Sequence, residues 1–188
     1  IKPSGVNLSI ATDDQVSCVD ICGNILSGLR PSVDMPTHLE IYKVFENANC
    51  VVHTHSKYAT IFAQAALPIP CLGTTHSDYF YGDIPCIPHP LGKEVSENYE
   101  INTGRIICEF YKKQGISPKS VQACLVSGHA PFVWGSNIED ALENAYVLEI
   151  ISEYAYKTLM LNPESSLSKE ILEKHFFRKH GSEKYYGQ

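Results

Sequence analysis

Two histidines separated by one residue, His53 and His55, are the pair best suited to chemistry in this sequence. They end a short run, Cys50 to His55, that is rich in β-branched residues and predicts a strand. Residues i and i+2 of a strand project from the same face, about 7 Å apart along the backbone, so two imidazoles can converge on one cation. Taken alone, the same pattern is also typical of a polar, solvated strand face.

A third histidine and a carboxylate come from other parts of the chain. His129 follows Gly128 at a predicted strand bend, and Asp34 precedes a helix in whose first turn Pro36 fits. Three histidines with a displaceable carboxylate are the ligands of a catalytic zinc site rather than a structural one. Each residue also has a plainer interpretation, His129 as a hydrogen-bonded turn residue and Asp34 as a helix cap. The sequence leaves open whether the four side chains converge.

Local patterns predict the elements that must position these residues. Strand-like runs alternate with helical ones without a repeat or linker, which favours a single α/β domain over residues 1–188. Residues 74–90 predict a long structured loop with room for one strand, and such loops often carry function. The patterns predict a hairpin over 15–26, strands over 50–55 and 123–134, and helices over 36–47, 56–66, 94–114 (interrupted at Gly104), 136–161 (opened by a Ser136–Glu139 capping box) and 168–180.

Composition excludes several classes of protein. With 188 residues, 44% hydrophobic side chains and a net charge of −6, the chain is neither disordered nor basic enough to follow a nucleic-acid backbone. No apolar run approaches the roughly 18 residues of a membrane span. The 7 cysteines are scattered without a Cys-x-x-Cys pair, so we expect a cytoplasmic protein in which most of them are small core residues. We expect partners to be small molecules and further copies of the chain.

Several segments together resemble the L-ribulose-5-phosphate 4-epimerases of the class II aldolase/adducin family. The resemblance extends over essentially the whole chain, and it leads us to expect that residues 1–188 are one such domain without its N-terminal helix and strand. The loop around Asp78 and the end Tyr185-Tyr-Gly-Gln188 are epimerase features that the aldolases of the family do not share. The matching segments are Ile1–Gly5, Arg30–His38, His53–Ser56, Gly73–Gly82, His129–Phe132, Lys174–Gly181 and Tyr185–Gln188.

The resemblance implies a three-layer α/β/α fold with a central, mostly antiparallel sheet, and a homotetramer with active sites at subunit interfaces. It implies one Zn²⁺ per subunit, or another divalent metal, and a sugar phosphate as substrate. The implied metal ligands are His53, His55, His129 and Asp34; the acid and base are Asp78 and Tyr186; the phosphate contacts are Lys2, Ser4, Gly5, Ser32 and Val33; the supporting residues are His175, Arg178, Thr74 and Glu100.

Two positions bear on the activity that the resemblance implies. Asp34 stands where the aldolases of the family usually have Glu, which favours epimerisation at C4 of a ketopentose phosphate through cleavage and re-formation of its C3–C4 bond. Val33 stands where the epimerases usually have a second Ser, and the loss of its hydroxyl is expected to weaken phosphate binding by about 1 kcal/mol. Two other functions stay open, another sugar-phosphate lyase on the same scaffold and a non-catalytic module like the adducin head.

Overall fold

Two units make up the chain in the computed structural model, which describes residues 1–182, 184 and 185. Ile1–Glu46 and Pro90–Glu109 form the first unit, and Asn47–His89 and Phe110–Gln188 form the second. Among the residues described, no helix is long and apolar enough to cross a membrane.

In chain order the strands and α-helices are β1 Cys18–Val19, β2 Ile25–Ser27, α1 Met35–Val44, β3 Cys50–His53, α2 Lys57–Gln64, α3 Thr74–Ser77, β4 Cys86–Ile87, α4 Lys93–Ser96, α5 Tyr99–Gln114, β5 Ala123–Val126, β6 Pro131–Gly135, α6 Ile138–Leu161 and α7 Lys169–His180.

The first unit contains the predicted hairpin and the helix that follows Asp34. β1 and β2 pair antiparallel, with Val19 opposite Ile25, so the hairpin is confirmed with shorter strands than the pattern predicted. Pro36 lies in the first turn of α1, as predicted. The helix ends at Val44 rather than Asn47, because Phe45 leaves it in an extended conformation and is buried.

The predicted helix over 94–114 is two helices, α4 and α5, and the break does not lie at Gly104. The chain breaks before α5 at Asn98, which adopts a left-handed conformation with φ of 57°. Gly104 lies inside α5, where a Cβ atom would come within 2.6 Å of Glu40 Cβ and 2.9 Å of the Thr37 carbonyl oxygen on α1. Glycine therefore permits the close approach of two helices at this position, and the prediction of an interruption was wrong.

We expect Gly104→Ala to lower the free energy of unfolding by about 1–3 kcal/mol, although alanine favours helix more than glycine does. The added methyl group would overlap Glu40 Cβ, which cannot rotate away from it. Urea unfolding of the two proteins measures the difference. Glu109→Ala, an exposed substitution on the same helix, serves as the control, and an equal or greater stability of Gly104→Ala would contradict the prediction.

The second unit is built on a four-stranded sheet in the order β3-β6-β5-β4. β6 pairs antiparallel with both β3 and β5, and β4 pairs parallel with β5. The register sets His53 opposite Phe132, at the end of β3 and near the start of β6. The α/β class with a mostly antiparallel sheet is confirmed, in agreement with the expected three-layer architecture.

Helices α2 and α6 pack against this sheet and against each other. The side-chain oxygen of Asn137 accepts from the backbone N–H of Asp140 at 2.8 Å, so Asn137 rather than Ser136 caps α6, and the predicted capping box was wrong. α7 begins after its predicted N-cap, Ser168. The core of the unit includes Tyr111, whose hydroxyl donates to the Ala123 carbonyl at 2.6 Å.

The cysteines are less uniformly buried than the composition suggested. Cys71, Cys108 and Cys124 are buried, whereas Cys18 and Cys22 are exposed on the β1–β2 hairpin. All 7 are free thiols. Burial raises the pKa of the Cys108 thiol to about 12, so this thiol remains protonated at neutral pH and behaves as an apolar core residue.

Candidate metal centre and acid-base cluster

The three predicted metal-binding histidines lie together in the second unit. Ring centroids are 5.3 Å apart for His53 and His55, 4.9 Å for His53 and His129, and 5.0 Å for His55 and His129. One ring nitrogen from each lies within 4.8 Å of the other two. The predicted strand over 50–55 ends at His53, so His55 reaches the group from the connection to α2 rather than from the same strand face.

The ring of His53 is held in the orientation and tautomer that a metal ligand needs. Its Nδ1 lies 2.8 Å from the carbonyl oxygen of Pro131, and since a carbonyl can only accept, Nδ1 carries the proton. In the neutral ring the lone pair therefore lies on Nε2. The ring also stacks on Phe132, with centroids 4.1 Å apart and an interplanar angle of 12°. Such a carbonyl partner is characteristic of metal-binding histidines.

His129 is presented by the tight turn between β5 and β6. Gly128 has φ of 69°, a left-handed conformation that glycine adopts without strain. The backbone N–H of Gly128 donates to the Ala63 carbonyl of α2 at 2.8 Å, and that of His129 donates to Val126 at 3.0 Å. The turn is therefore tied to α2, whose other end follows His55.

The donor set fits a divalent metal such as zinc. Three imidazole nitrogens are the protein ligands of a common catalytic zinc site, and Zn–N bonds of about 2.0–2.1 Å require the nitrogens to converge as these do. Three protein ligands leave a coordination position for a substrate or a displaceable carboxylate.

The fourth predicted ligand, Asp34, belongs to the first unit and occupies the residue before α1. Its carboxylate Oδ2 accepts from the Ser32 hydroxyl at 3.2 Å, and it makes no side-chain hydrogen bond that caps the helix. Asp34 is therefore the N-cap residue of α1 by position, but its side chain does not make the hydrogen bond of a cap. Its role at a metal stays a prediction.

The residues predicted to contact phosphate meet in the first unit. Pro3 and Pro31 form an isolated antiparallel bridge, and the backbone N–H of Ser32 donates to the Lys2 carbonyl at 2.9 Å. The bridge places Lys2, Ser4 and Gly5 beside Ser32 and Val33. Residues that are far apart in sequence thus form one local group, whose ability to bind phosphate stays a prediction.

Asp78 lies at the centre of a charged cluster that joins the 73–82 loop to α7. Its carboxylate accepts from Arg178 Nε at 3.1 Å and Nη2 at 2.9 Å, and from His175 Nδ1 at 3.1 Å. His180 Nε2 donates to the backbone carbonyl of Asp78 at 2.9 Å. The three side chains of the Asp78 cluster, Asp78, His175 and Arg178, are each about four-fifths buried. Sequence reasoning had paired His175 with Arg178 but had left His180 aside.

The remaining predicted residues are Tyr186, Thr74 and Glu100, and for the two that the structure describes it gives no side-chain contact that bears on a role at the site. Tyr186 lies outside the described residues, although the backbone N–H of Tyr185 donates to the Arg178 carbonyl at 3.0 Å. The carbonyl of exposed Thr74 accepts from the backbone N–H of Asp78 at 2.9 Å. The carbonyl of Glu100 accepts from the Thr37 hydroxyl at 2.7 Å. These contacts are made by backbone groups of Thr74 and Glu100 and leave their supporting roles as predictions.

Comparison with known proteins decides the family. The family described as Class II Aldolase and Adducin N-terminal domain matches residues 1–156. The chain belongs to this class II aldolase and adducin family. Membership of a family does not by itself establish an activity, so the activity has to be argued from the site residues.

Solved structures with similar coordinates share this fold. An L-fuculose 1-phosphate aldolase is 19% identical with a TM-score of 0.75 over 93% of this chain and 76% of its own. YgbL from Klebsiella pneumoniae, a candidate aldolase/epimerase/decarboxylase, is 25% identical with a TM-score of 0.70 over 92% of this chain and 79% of its own. The L-fuculose-1-phosphate aldolase from Thermus thermophilus is 22% identical with a TM-score of 0.63 over 86% of this chain and 77% of its own.

One buried histidine of this class II aldolase domain, His76, is neutral in the folded state. Burial lowers its pKa from 6.5 to about 4, and its Nε2 donates to the Gly82 carbonyl at 2.8 Å. Because the folded pKa is the lower one, the unfolded chain binds more protons between these two values. Stability is therefore fully present above about pH 6.5 and decreases as the pH falls toward about 4.

We expect this histidine to contribute up to about 3 kcal/mol to the loss of stability on acidification. Urea unfolding of the metal-free protein at about pH 7 and about pH 5 measures the loss, and His76→Gln should reduce it. His89→Gln, at an exposed histidine, is the control. An equal loss in wild-type and His76→Gln proteins would exclude His76 as the source.

Sequence reasoning missed Glu149, a residue of α6 that contacts the segment after His55. Its carboxylate accepts from the backbone N–H groups of Tyr58 and Ala59. α6 carries other acidic residues, and no local pattern separates Glu149 from them. The contact spans 90 residues and appears only in the tertiary structure.

Proposed function

We propose that this chain is a zinc-dependent L-ribulose-5-phosphate 4-epimerase, which interconverts L-ribulose 5-phosphate and D-xylulose 5-phosphate. The grouped histidines support metal-assisted chemistry on a sugar phosphate, as expected of a class II aldolase domain. The observation that carries the finer proposal is the Asp78 cluster, since the loop around Asp78 resembles that of the epimerases and Asp78 is held there by α7.

Epimerisation at C4 by direct removal of the C4 proton is unfavourable, because C4 is not adjacent to the C2 carbonyl. Cleavage of the C3–C4 bond avoids this difficulty. The bond's electron pair passes toward the C2 carbonyl and leaves a three-carbon enediolate, while the other fragment is glycolaldehyde phosphate. The aldehyde then rotates, and the enediolate attacks the opposite face of the aldehyde carbon. This attack re-forms the C3–C4 bond with C4 inverted.

His53, His55 and His129, with Asp34 as a fourth group, would hold the metal. When bound, a divalent metal supplies Lewis-acid stabilisation of the negative charge that develops on the C2 and C3 oxygens. The Pro131 carbonyl and the Phe132 ring fix His53 for this task. The shorter side chain of Asp34, compared with the Glu of the aldolases, favours epimerisation.

Asp78 and Tyr186 would transfer protons on opposite faces of the C4 oxygen. In one direction the Asp78 carboxylate takes the proton of the C4 hydroxyl as the C3–C4 bond breaks. After rotation and bond formation, the Tyr186 hydroxyl returns a proton to the C4 oxygen. The sugar gains no proton overall, and solvent restores the two side chains. Arg178 and His175 orient Asp78, with Thr74 and Glu100 in supporting roles.

The phosphate would bind the group formed by Lys2, Ser4, Gly5, Ser32 and Val33, with the hydroxyls of Ser4 and Ser32 and the ammonium group of Lys2 as donors. Val33 offers a backbone N–H without a side-chain hydroxyl. We further propose a homotetramer in which Asp78 and Tyr186 act at a metal centre across a subunit boundary.

A coupled assay for D-xylulose 5-phosphate formation from L-ribulose 5-phosphate tests the proposal. The full-length chain is assayed as purified, after treatment with a chelator, and after zinc is restored. We expect activity that chelation removes and zinc returns. Zinc-loaded protein that instead cleaves L-fuculose 1-phosphate or another sugar phosphate without epimerising would favour the alternative, a class II aldolase, and inactivity on all of them would favour an adducin-like module.

A further inference from the structure

Glu149 caps helix α2 from a distant part of the chain. The backbone nitrogen of Tyr58 lies 2.8 Å from Oε1 and 3.1 Å from Oε2 of Glu149, and that of Ala59 lies 3.1 Å from Oε2. Ser56 occupies the N-cap position but makes no side-chain cap hydrogen bond. The carboxylate therefore satisfies amides that a local N-cap side chain normally satisfies, and its charge is favourable at a helix N-terminus.

The placement of α2 bears on two of the three histidines. Residues 54–56 connect β3 to α2, so the position of the first turn of α2 limits where His55 can lie. Near the other end of the helix, the Ala63 carbonyl accepts from the backbone N–H of Gly128, the residue before His129. A shift of α2 would therefore move His55 and the His129 turn relative to His53, which β3 and Pro131 hold.

The helix that carries Glu149, α6, is well packed, so the position of the Glu149 backbone is fixed. α6 extends over 24 residues and packs against β6, β3 and α2. Two residues of α6 close to Glu149 in sequence, Leu148 and Ser152, are 1% and 0% exposed. The carboxylate is thus presented from a well-packed element, and its hydrogen bonds are charge-assisted, which makes them stronger than those of a neutral cap.

We propose that Glu149 is a positioning residue of the metal centre. It fixes the first turn of α2 and, through α2, the separation of the His55 and His129 rings. The inference rests on the proposed function in one respect, that these histidines bind the metal. It adds a residue that does not itself touch the metal or the substrate.

Metal binding to wild-type protein, Glu149→Ala and Glu149→Gln tests this inference. Zn²⁺ affinity is measured by competition with a chromogenic chelator, and the geometry of the site by the visible absorption spectrum of the Co²⁺-loaded protein. Glu143→Ala is the matched control, since Glu143 lies on the same helix and accepts from the Tyr79 hydroxyl, which is not part of α2. Circular dichroism identifies a temperature at which every variant is folded.

We expect Glu149→Ala to bind Zn²⁺ about tenfold more weakly and to alter the Co²⁺ spectrum. Glu149→Gln keeps one acceptor oxygen without the charge, so its loss should be smaller, about threefold. Glu143→Ala should match the wild type. If Glu149→Ala does not fold, Glu149→Gln decides the matter alone.

Wild-type affinity and an unchanged Co²⁺ spectrum in both Glu149 variants would overturn the inference, as would an equal loss in Glu143→Ala. Failure of the wild-type chain to bind either metal is a different result. It would overturn the histidine ligand assignment and the proposed function together.

Discussion

Replacement of His55 by alanine is expected to remove stoichiometric zinc and to lower turnover by about three orders of magnitude. His55 supplies one of three nitrogens that lie within 4.8 Å of one another, and two imidazoles alone hold zinc weakly. A lost Lewis acid removes several kcal/mol of transition-state stabilisation, and about 4 kcal/mol corresponds to a factor of about 1,000 in rate. Metal analysis after dialysis and the coupled epimerase assay measure the two effects.

A matched histidine variant distinguishes loss of the ligand from general damage. His89 is exposed and outside the grouped histidines, so His89→Ala should retain both metal and activity. The His55→Ala protein should remain folded, because His55 is exposed and its removal leaves no cavity in the core. One tightly held zinc per chain in His55→Ala would contradict the ligand assignment.

Asp78→Asn should lower turnover by about two to four orders of magnitude while zinc content stays unchanged. The amide cannot take a proton from the C4 hydroxyl. Its oxygen can take the place of Oδ1 and accept from His175 Nδ1 and Arg178 Nε, but its amino group in the place of Oδ2 cannot accept from Arg178 Nη2, so the cluster also loses one contact. Steady-state kinetics with metal-loaded protein gives kcat and KM, and the loss should lie mainly in kcat.

A neighbouring carboxylate provides the control for this variant. Glu143 on α6 accepts from the Tyr79 hydroxyl at 2.6 Å and so also binds the 73–82 loop. Glu143→Gln should keep nearly normal turnover, because Tyr79 has no proposed role in proton transfer. Near-normal turnover in Asp78→Asn, or an equal loss in Glu143→Gln, would remove Asp78 from the mechanism.

The two active-site variants together separate the parts of the proposed mechanism. His55→Ala should lose metal and activity together, whereas Asp78→Asn should lose activity with metal in place. Loss of zinc in Asp78→Asn would mean that the cluster supports the metal centre, and not proton transfer. Metal content and kcat, measured on the same samples, therefore test the two roles independently.

Sequence patterns alone were sufficient to predict those helices and turns that depend on contacts between residues close together in sequence. The hairpin of β1 and β2 follows from a turn between alternating residues, and α7 follows from Ser168 as N-cap and Gly181 after its last turn. The candidate metal ligands His53 and His55 were also evident from their type and their closeness in sequence, although His55 lies in the connection to α2 and not on the predicted strand face. The residues at which helices begin and end were predicted less well, since several residues near a boundary can cap or break a helix. Asn137 caps α6, and Asn98 breaks the chain before α5.

The tertiary structure decided which of these residues meet. His129 joins His53 and His55 because β6 pairs with β3, and Arg178 reaches Asp78 across 100 residues. Glu149 reaches the first turn of α2 in the same way. Periodicity and capping describe interactions between residues a few positions apart, whereas strand pairing and helix packing bring distant residues together. The residue types therefore suggested the chemistry that we propose, and the long-range packing determined which of these side chains lie together.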